Sequence, residues 1–136
     1  MTQDHGPNLD WDQLREAAVN AMRNAYAPYS NYPVGAAALT TDGRIITGCN
    51  VENASHGIGL CAECGLISSL ILSGGGKLSA ITCVDQNHKV ILPCGRCRQL
   101  LYEHSTPGMK VETPTSVLAI EELLPHAFGP QDLKSV

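Results

Sequence analysis

The chain has 136 residues, of which 43% are hydrophobic and 4% are aromatic, so we expect one domain with a mostly aliphatic core. Its formal net charge of −4 argues against a nucleic-acid or anionic-membrane binder, because such proteins carry a basic surface. No stretch approaches the ~20 apolar residues that span a bilayer, and the polar N-terminus is unlike a secretory signal. The sequence predicts a single cytoplasmic domain over residues 1–136, with residues 1–8 as a flexible leader.

Periodicity and turn residues divide the first half of the chain into a helix and a hairpin. Apolar residues three and four apart predict a helix that begins at Leu9 or Asp10 and runs to Ala25. Small residues predict a buried strand from Val34 to Thr40, and a turn at 41–43 leads into a returning strand from Arg44 to Cys49. An extended loop over residues 50–60 follows the hairpin.

The second half alternates helices with strands. Helical periodicity runs from Cys61 to Leu72 and stops at Gly74-Gly75-Gly76, and Leu78–Val84 reads as a further strand. The remaining predicted elements are a helix over Cys94–His104, two weaker strands over Met109–Glu112 and Ser116–Ala119, and a short helix over Glu121–Leu124. This alternation predicts a layered α/β domain, and the hairpin predicts a mixed sheet.

Two short motifs carry residues that are typical of metal chemistry. Cys61-Ala62-Glu63 begins one predicted helix, and Pro93-Cys94-Gly95-Arg96-Cys97 begins another. Cys94 and Cys97 are three residues apart, so their sulfur atoms can face one point. A helix N-terminus lowers the pKa of a thiol and favours metal ligation. Six cysteines in a cytosolic chain also favour metal binding or catalysis over disulfides.

Three thiolates would fill three positions of a tetrahedral zinc ion and leave the fourth for water, as in catalytic zinc sites. Water bound there loses a proton near neutral pH. Attack by the resulting hydroxide needs a proton shuttle. Glu63, two residues beyond a ligand, can serve as that shuttle.

Two other interpretations use the same cysteines. One is a redox Cys-x-x-Cys pair, and the other is a structural zinc site closed by a fourth ligand. Cys49, Cys64, Cys83 or one of five histidines could supply that ligand. Cys49 and Cys83 lie in apolar strand patterns, however, where a small buried thiol is the more ordinary role.

Taken together, these motifs resemble the small homotetrameric zinc-dependent cytidine deaminases. The resemblance covers nearly the whole chain and includes Tyr26–Ser30, Val34–Ala37, Gly48–Ala54, Cys61–Glu63, Pro93–Gln99 and Glu122–Phe128. It implies a three-layer α/β/α sandwich with a mixed five-stranded sheet. It also implies hydrolytic deamination of cytidine and 2′-deoxycytidine to uridine and 2′-deoxyuridine in pyrimidine salvage.

The resemblance further implies a role for each site residue. One Zn²⁺ per chain would be held by Cys61, Cys94 and Cys97. Glu63 would carry protons from the zinc-bound water to N3 of the base and to the leaving amine. The implied substrate contacts are an aromatic face from Tyr32, ribose hydrogen bonds from Asn50 and Glu52, the Ala62 backbone N–H on the pyrimidine carbonyl, and Phe128 of a neighbouring subunit stacked on the base. The implied partners are a nucleoside and three further copies of the chain, with shared active sites and no nucleic acid or membrane.

The chain departs from the family pattern at two positions. Tyr32 stands where the family usually has phenylalanine, and its hydroxyl needs a partner if it is buried. Cys64 stands where many members have an arginine that would offset the negative charge of the thiolates. We hypothesise that Cys64 is a neutral thiol, and that helix N-termini and Arg98 provide the offset.

Two competing functions remain at the level of sequence. A related enzyme could act on another cytosine-bearing substrate, such as a nucleoside antibiotic or a polynucleotide, although polynucleotide editors usually have histidine in the place of Cys61. A structural zinc or protein-interaction module would need neither Glu63 nor the Asn50–Glu52 pair. Among the histidines, only His56 lies near the predicted substrate loop.

Overall fold

The architecture is built around a single mixed sheet. A computed structural model describes residues 9–134, so the predicted leader over residues 1–8 lies outside the described residues. The sheet has five strands in the order β2-β1-β3-β4-β5, and only the β3–β4 pair is parallel. The strands are β1 (Gly35–Thr40), β2 (Ile45–Cys49), β3 (Leu78–Val84), β4 (Ser105–Glu112) and β5 (Val117–Ala119). The mixed five-stranded sheet is confirmed.

Helices cover both faces of this sheet. The helices are α1 (Trp11–Met22), α2 (Ala62–Leu72), α3 (Gly95–Glu103) and α4 (Ile120–Leu123), with short 3₁₀ helices at His56–Ile58 and Pro130–Leu133. The helix α1 packs on one face through Leu14, Ala18 and Met22. The other helices contribute Leu66, Leu101 and Ile120 to a second core on the opposite face. The three-layer α/β/α sandwich is therefore confirmed.

The central strand β1 shows how small residues separate the two cores. All six of its residues are buried, as expected for a strand covered on both faces. Ala36 and Ala38 pack into the core under α2, whereas Ala37 and Leu39 pack into the core under α1. This alternation follows the two-residue period of a strand.

Two glycines let helices lie directly against strands. A Cβ at Gly35 would collide with the backbone of α1, and a Cβ at Gly48 would collide with the carbonyl of Ala62 and the N–H of Leu66. Only glycine allows so close an approach. The contact at Gly48 sets the position of the first turn of α2, which carries the Cys61-Ala62-Glu63 motif.

The first helix begins as expected but ends earlier than the sequence predicts. The Asp10 carboxylate caps it by accepting the N–H groups of Asp12 and Gln13 at 3.0 and 3.2 Å. The helix ends at Met22 rather than at Ala25. Beyond it, the Tyr26 N–H donates to the Asn50 carbonyl at 3.0 Å, because the chain turns to pair with the segment after β2.

The largest strand correction concerns β4, which begins at Ser105 rather than at Met109. Pro107 and Gly108 make its first half look like a turn. The register shift between Leu78 and Ala80 of β3 lets these residues bulge while the strand continues. The two 3₁₀ helices were not predicted. No helix of residues 9–134 is long and apolar enough to cross a membrane.

Candidate active site

Three thiols meet where two helices begin. Cys61 is the N-cap of α2, Cys94 is the N-cap of α3, and Cys97 lies in the first turn of α3. Their sulfur atoms all lie within 4.8 Å of one another. Cys97 is buried, Cys61 is half-buried and Cys94 is exposed, so the cluster has a closed inner side and an open outer side.

The three thiols fit a zinc ion. A Zn–S bond of about 2.3 Å in tetrahedral geometry separates two sulfur ligands by about 3.8 Å, which small movements of these side chains would reach. Within residues 9–134, no fourth His, Cys, Asp or Glu ligand atom joins the group. A closed four-ligand site of the structural type is therefore not formed by the described residues, and the fourth position is left for water.

The surroundings shift the pKa values of the three thiols in different directions. Burial raises the pKa of the Cys97 thiol well above its usual range, and burial also raises the pKa of Cys61. The backbone N–H of Cys97 lowers the pKa of Cys94, which is the effect expected at a helix N-terminus. Three thiols so close together need a cation before all of them can ionise, because like charges repel, and this cluster therefore suits a metal.

Glu63 lies in the first turn of α2 and is only 4% exposed. Its Oε2 atom accepts a hydrogen bond from the Cys83 thiol, with 3.3 Å between sulfur and oxygen. Glu63 also raises the pKa of Cys97 through its charge, after the larger effect of burial, so its carboxylate lies close to the thiol cluster. The arrangement places a buried acid–base group beside a candidate metal position.

Asn50 and Glu52 both bind the segment that leads into β1. The Asn50 amide accepts the Val34 N–H at 2.8 Å and donates to the Tyr32 carbonyl at 3.1 Å. The Glu52 carboxylate accepts the N–H groups of Tyr29 and Ser30 at 3.0 and 3.1 Å, and the Ser30 hydroxyl also donates to it. The Ser30 hydroxyl, with these N–H groups, lowers the pKa of Glu52 and keeps it ionised.

A surface cavity of about 270 Å³ lies beside Glu52. Its lining is formed by Tyr29, Ser30, Glu52, Asn53, His56 and Gly59. The His56 ring lies 5.9 Å from the Tyr29 ring, tilted by 56°. Among the histidines of residues 9–134, His56 is the one that lines this cavity.

The two predicted aromatic contacts are both accessible. Tyr32 is 44% exposed, so its hydroxyl can reach water without a buried partner. Phe128 is 58% exposed, while its carbonyl accepts a hydrogen bond from the Gln99 amide at 2.8 Å. The tail is therefore tied to α3 through its backbone, and the Phe128 ring is left outside the core.

Arg96, and not the hypothesised Arg98, donates a hydrogen bond to a thiol beside the cluster. Arg98 donates to the carbonyls of Pro93 and Leu123, at 2.8 and 3.2 Å. Arg96 instead donates to the Cys64 sulfur at 3.4 Å. Cys64 raises the pKa of Arg96, and Cys61 and Cys97 raise it further, so this guanidinium faces the thiols of the site.

Three of these hydrogen bonds were not predicted from the sequence. They run from Cys83 to Glu63, from Ser30 to Glu52, and from Arg96 to Cys64. Each joins residues that are at least twenty positions apart. The apolar strand pattern around Cys83 showed that it would be buried, but no local signal indicated its partner.

Comparison with known proteins places this geometry in a family. The model of the cytidine and deoxycytidylate deaminase zinc-binding region matches residues 10–113. The cytidine deaminase of Mycobacterium tuberculosis is 50% identical over 127 residues, which cover 93% of this chain and 96% of that protein.

Solved structures agree with the sequence matches. The crystal structure of cytidine deaminase from Mycobacterium leprae is 57% identical, with a TM-score of 0.86, and the match covers 88% of this chain and 100% of that one. The cytidine deaminase of Burkholderia pseudomallei is 42% identical, with a TM-score of 0.79 over 88% of this chain and 100% of that one. The chain therefore belongs to the zinc-binding cytidine deaminase family.

Proposed function

We propose that this chain, acting as one cytoplasmic domain in pyrimidine salvage, hydrolyses cytidine and 2′-deoxycytidine to the corresponding uridines and ammonia. The observation that carries the proposal is the meeting of Cys61, Cys94 and Cys97 within 4.8 Å, with the buried Glu63 beside them. Identity of 50% or more to proteins named cytidine deaminase supports the same reaction. None of the six cysteines, all within residues 9–134, forms a disulfide, which suits a reducing compartment.

Zinc held by Cys61, Cys94 and Cys97 would lower the pKa of a bound water molecule and so supply a nucleophile at neutral pH. The chain's own part is to move protons. Glu63 takes one proton from the water that adds to C4 of the pyrimidine and delivers it to N3. It then carries the second proton to the amino group, which leaves as ammonia. Cytidine and water thus become uridine and ammonia. Glu63 releases each proton that it accepts and ends in its starting state.

The first turn of α2 also offers a donor for the base. The Ala62 N–H is among the first N–H groups of the helix, which have no partner within the helix. We assign it to the pyrimidine carbonyl. Tyr32, exposed at the end of the loop that Asn50 holds, offers its ring to the base.

Asn50 and Glu52 are assigned to the ribose. Within residues 9–134, the Asn50 amide nitrogen makes one hydrogen bond, to the Tyr32 carbonyl, and so keeps a second N–H for a sugar hydroxyl. Glu52 is held ionised by Ser30 and can accept from a hydroxyl as well. A free base would leave these polar groups without the partner that a nucleoside supplies.

The oligomer that we propose is a homotetramer with shared active sites. Several large apolar side chains are exposed in one chain, among them Ile58, Ile71, Leu72, Phe128 and Leu133. Leu72 is 90% exposed and so is accessible to a second copy of the chain. Phe128 of one subunit would stack on the base in the site of another and exclude water from it.

The deciding experiment is turnover of cytidine, 2′-deoxycytidine and cytosine by the purified protein, with product and ammonia measured. We expect both nucleosides to be deaminated and cytosine to be a poor substrate. Glu52→Ala should lose turnover of cytidine but not zinc. Equal turnover of cytosine and cytidine would contradict the sugar assignment, and no turnover by a zinc-loaded protein would contradict the function.

The quaternary proposal has its own test. Light scattering should report four chains, and Phe128→Ala should raise the KM for cytidine while zinc content stays the same. A fully active monomer would contradict the shared site. A tetrameric Phe128→Ala protein with wild-type kinetics would contradict only the role of the Phe128 ring.

A further inference from the structure

A hydrogen bond joins Cys83 in the sheet to Glu63 in the first turn of α2. Cys83 lies on β3, is 2% exposed, and belongs to the apolar core under α2 and α3. Its sulfur lies 3.3 Å from Oε2 of Glu63, which satisfies the distance for a hydrogen bond that involves sulfur. The two residues belong to different layers, so the bond ties the first turn of α2 to the sheet.

The direction of this hydrogen bond follows from burial. Burial raises the pKa of the Cys83 thiol well above its usual range, and the negative charge of Glu63 raises it further. The thiol is therefore protonated at neutral pH and can donate. A carboxylate can only accept, so the bond runs from the sulfur to Oε2.

No other protein group within residues 9–134 donates to the Glu63 carboxylate. A buried carboxylate with a single donor has one oxygen engaged and the other free. The hydrogen bond to Oε2 limits rotation of the carboxyl group, and the other oxygen is left without a donor among these residues. A thiol is a weak donor, so it orients the carboxylate while taking little of its capacity to accept protons.

We infer that Cys83 is a positioning residue for proton transfer: its thiol holds Oε2 of Glu63, so that the other carboxylate oxygen is aimed at the reacting atoms. This inference rests on the proton-shuttle role proposed for Glu63. It differs from the ordinary interpretation of a buried strand cysteine, which is a small apolar side chain that fills space.

The test compares variants that keep or remove the donor. Cys83→Ala removes both donor and volume, Cys83→Val removes the donor but fills the space, and Cys83→Ser keeps an O–H donor. We expect kcat for cytidine to fall ~10–100-fold in the Ala and Val variants, because a small misplacement of a catalytic group has effects of this size. KM and zinc content should change little, and Cys83→Ser should restore most of kcat.

A space-filling role predicts the opposite ranking. Serine would then be the worst replacement, because its hydroxyl would be buried among apolar side chains, and valine would be the best. Wild-type kcat in Cys83→Val, or a Cys83→Ser variant as slow as Cys83→Ala, would therefore overturn the inference. If Cys83→Ala fails to fold, the Val and Ser variants still decide the question. Cys49→Ala, at a half-buried strand thiol that makes no hydrogen bond to Glu63, is the control and should keep wild-type kcat.

Combining Cys83→Ala with Glu63→Gln distinguishes failure of this inference from failure of the proposed function. Adding Cys83→Ala to Glu63→Gln should cause no further loss of kcat, because both changes act on the same carboxyl group. A Glu63→Gln protein with full activity would end the shuttle role and this inference together. An inactive Glu63→Gln protein combined with a fully active Cys83→Ala protein would end this inference alone.

Discussion

Two glutamates lie on opposite faces of the same sheet, Glu112 partly buried and Glu63 buried, and their partners differ. Glu112, on the α1 face, has a side chain that is 12% exposed and accepts from Arg15 at 2.9 Å and from the Thr82 hydroxyl at 2.7 Å. Glu63, on the α2 face, is 4% exposed, and within residues 9–134 its only hydrogen-bond donor is the Cys83 thiol. Glu112 is paired with a cation and a hydroxyl, whereas Glu63 keeps most of its capacity to exchange protons.

The two faces of the sheet hold carboxylates with different roles, one structural and one catalytic. A carboxylate that is paired with a cation and hydrogen-bonded is tolerated within the fold, and removing one partner would leave an uncompensated charge. A buried carboxylate that lacks these partners is costly, and the protein keeps it where a reaction uses it. The α1 face thus acts as the structural side of the sheet, and the α2 face carries the candidate site.

The largest expected effect is the loss of catalysis in Glu63→Gln. The amide has the shape of the carboxylate but cannot shuttle protons, so kcat/KM for cytidine should fall by ~10²–10⁴-fold or more. Fold and zinc content should remain, as circular dichroism and elemental analysis would report. Turnover within a few-fold of the wild type would remove Glu63 from the mechanism.

Substitutions at Gly35 and Gly48, the two glycines that let helices approach strands, should also distinguish loss of stability from loss of catalysis. Gly48→Ala and Gly35→Ala both force a helix away from a strand, and overpacking of this kind costs about 1–3 kcal/mol of unfolding free energy. Only Gly48→Ala displaces the first turn of α2, so only this variant should also lose kcat beyond its loss of stability. Denaturant unfolding and kinetics on the folded fraction would measure both. Equal kcat losses in the two variants would contradict the division between the faces.

Glu112→Gln should show the reverse pattern to Glu63→Gln. It removes the charge that pairs with Arg15, whose side chain is 36% exposed, so solvent screening limits the loss to about 1–2 kcal/mol of unfolding free energy. The kcat for cytidine should be unchanged. Unfolding monitored by fluorescence would give the stability, and a large loss of kcat at unchanged stability would show that the α1 face takes part in the chemistry.

The smallest effect is expected at the exposed arginine beside the thiols. Arg96→Ala removes the cation that faces Cys64, and zinc should then be lost to a chelator a few-fold faster, below the ~10–100-fold typical of buried outer-shell partners. Arg98→Ala should instead lower the melting temperature, because it frees the carbonyls of Pro93 and Leu123. Faster zinc loss in Arg98→Ala than in Arg96→Ala would show that Arg98 offsets the negative charge of the thiolates, as we hypothesised from the sequence.

The sequence by itself determined the elements and the reactive cluster. Strand β3 has the predicted bounds, the hairpin and both site helices match within a few residues, and the thiols of Cys61, Cys94 and Cys97 meet as their helix-start positions indicated. These features depend on periodicity, turn residues and helix-end electrostatics, all of which act over a few residues.

Tertiary structure alone decided which side chains serve the cluster. The Cys83–Glu63 contact spans 20 positions, the Ser30–Glu52 contact spans 22, and the Arg96–Cys64 contact spans 32. The early end of α1 at Met22 likewise depends on Tyr26 pairing with the segment after β2. Such partners are chosen by how layers pack and which strands are neighbours, and local propensity does not carry that information.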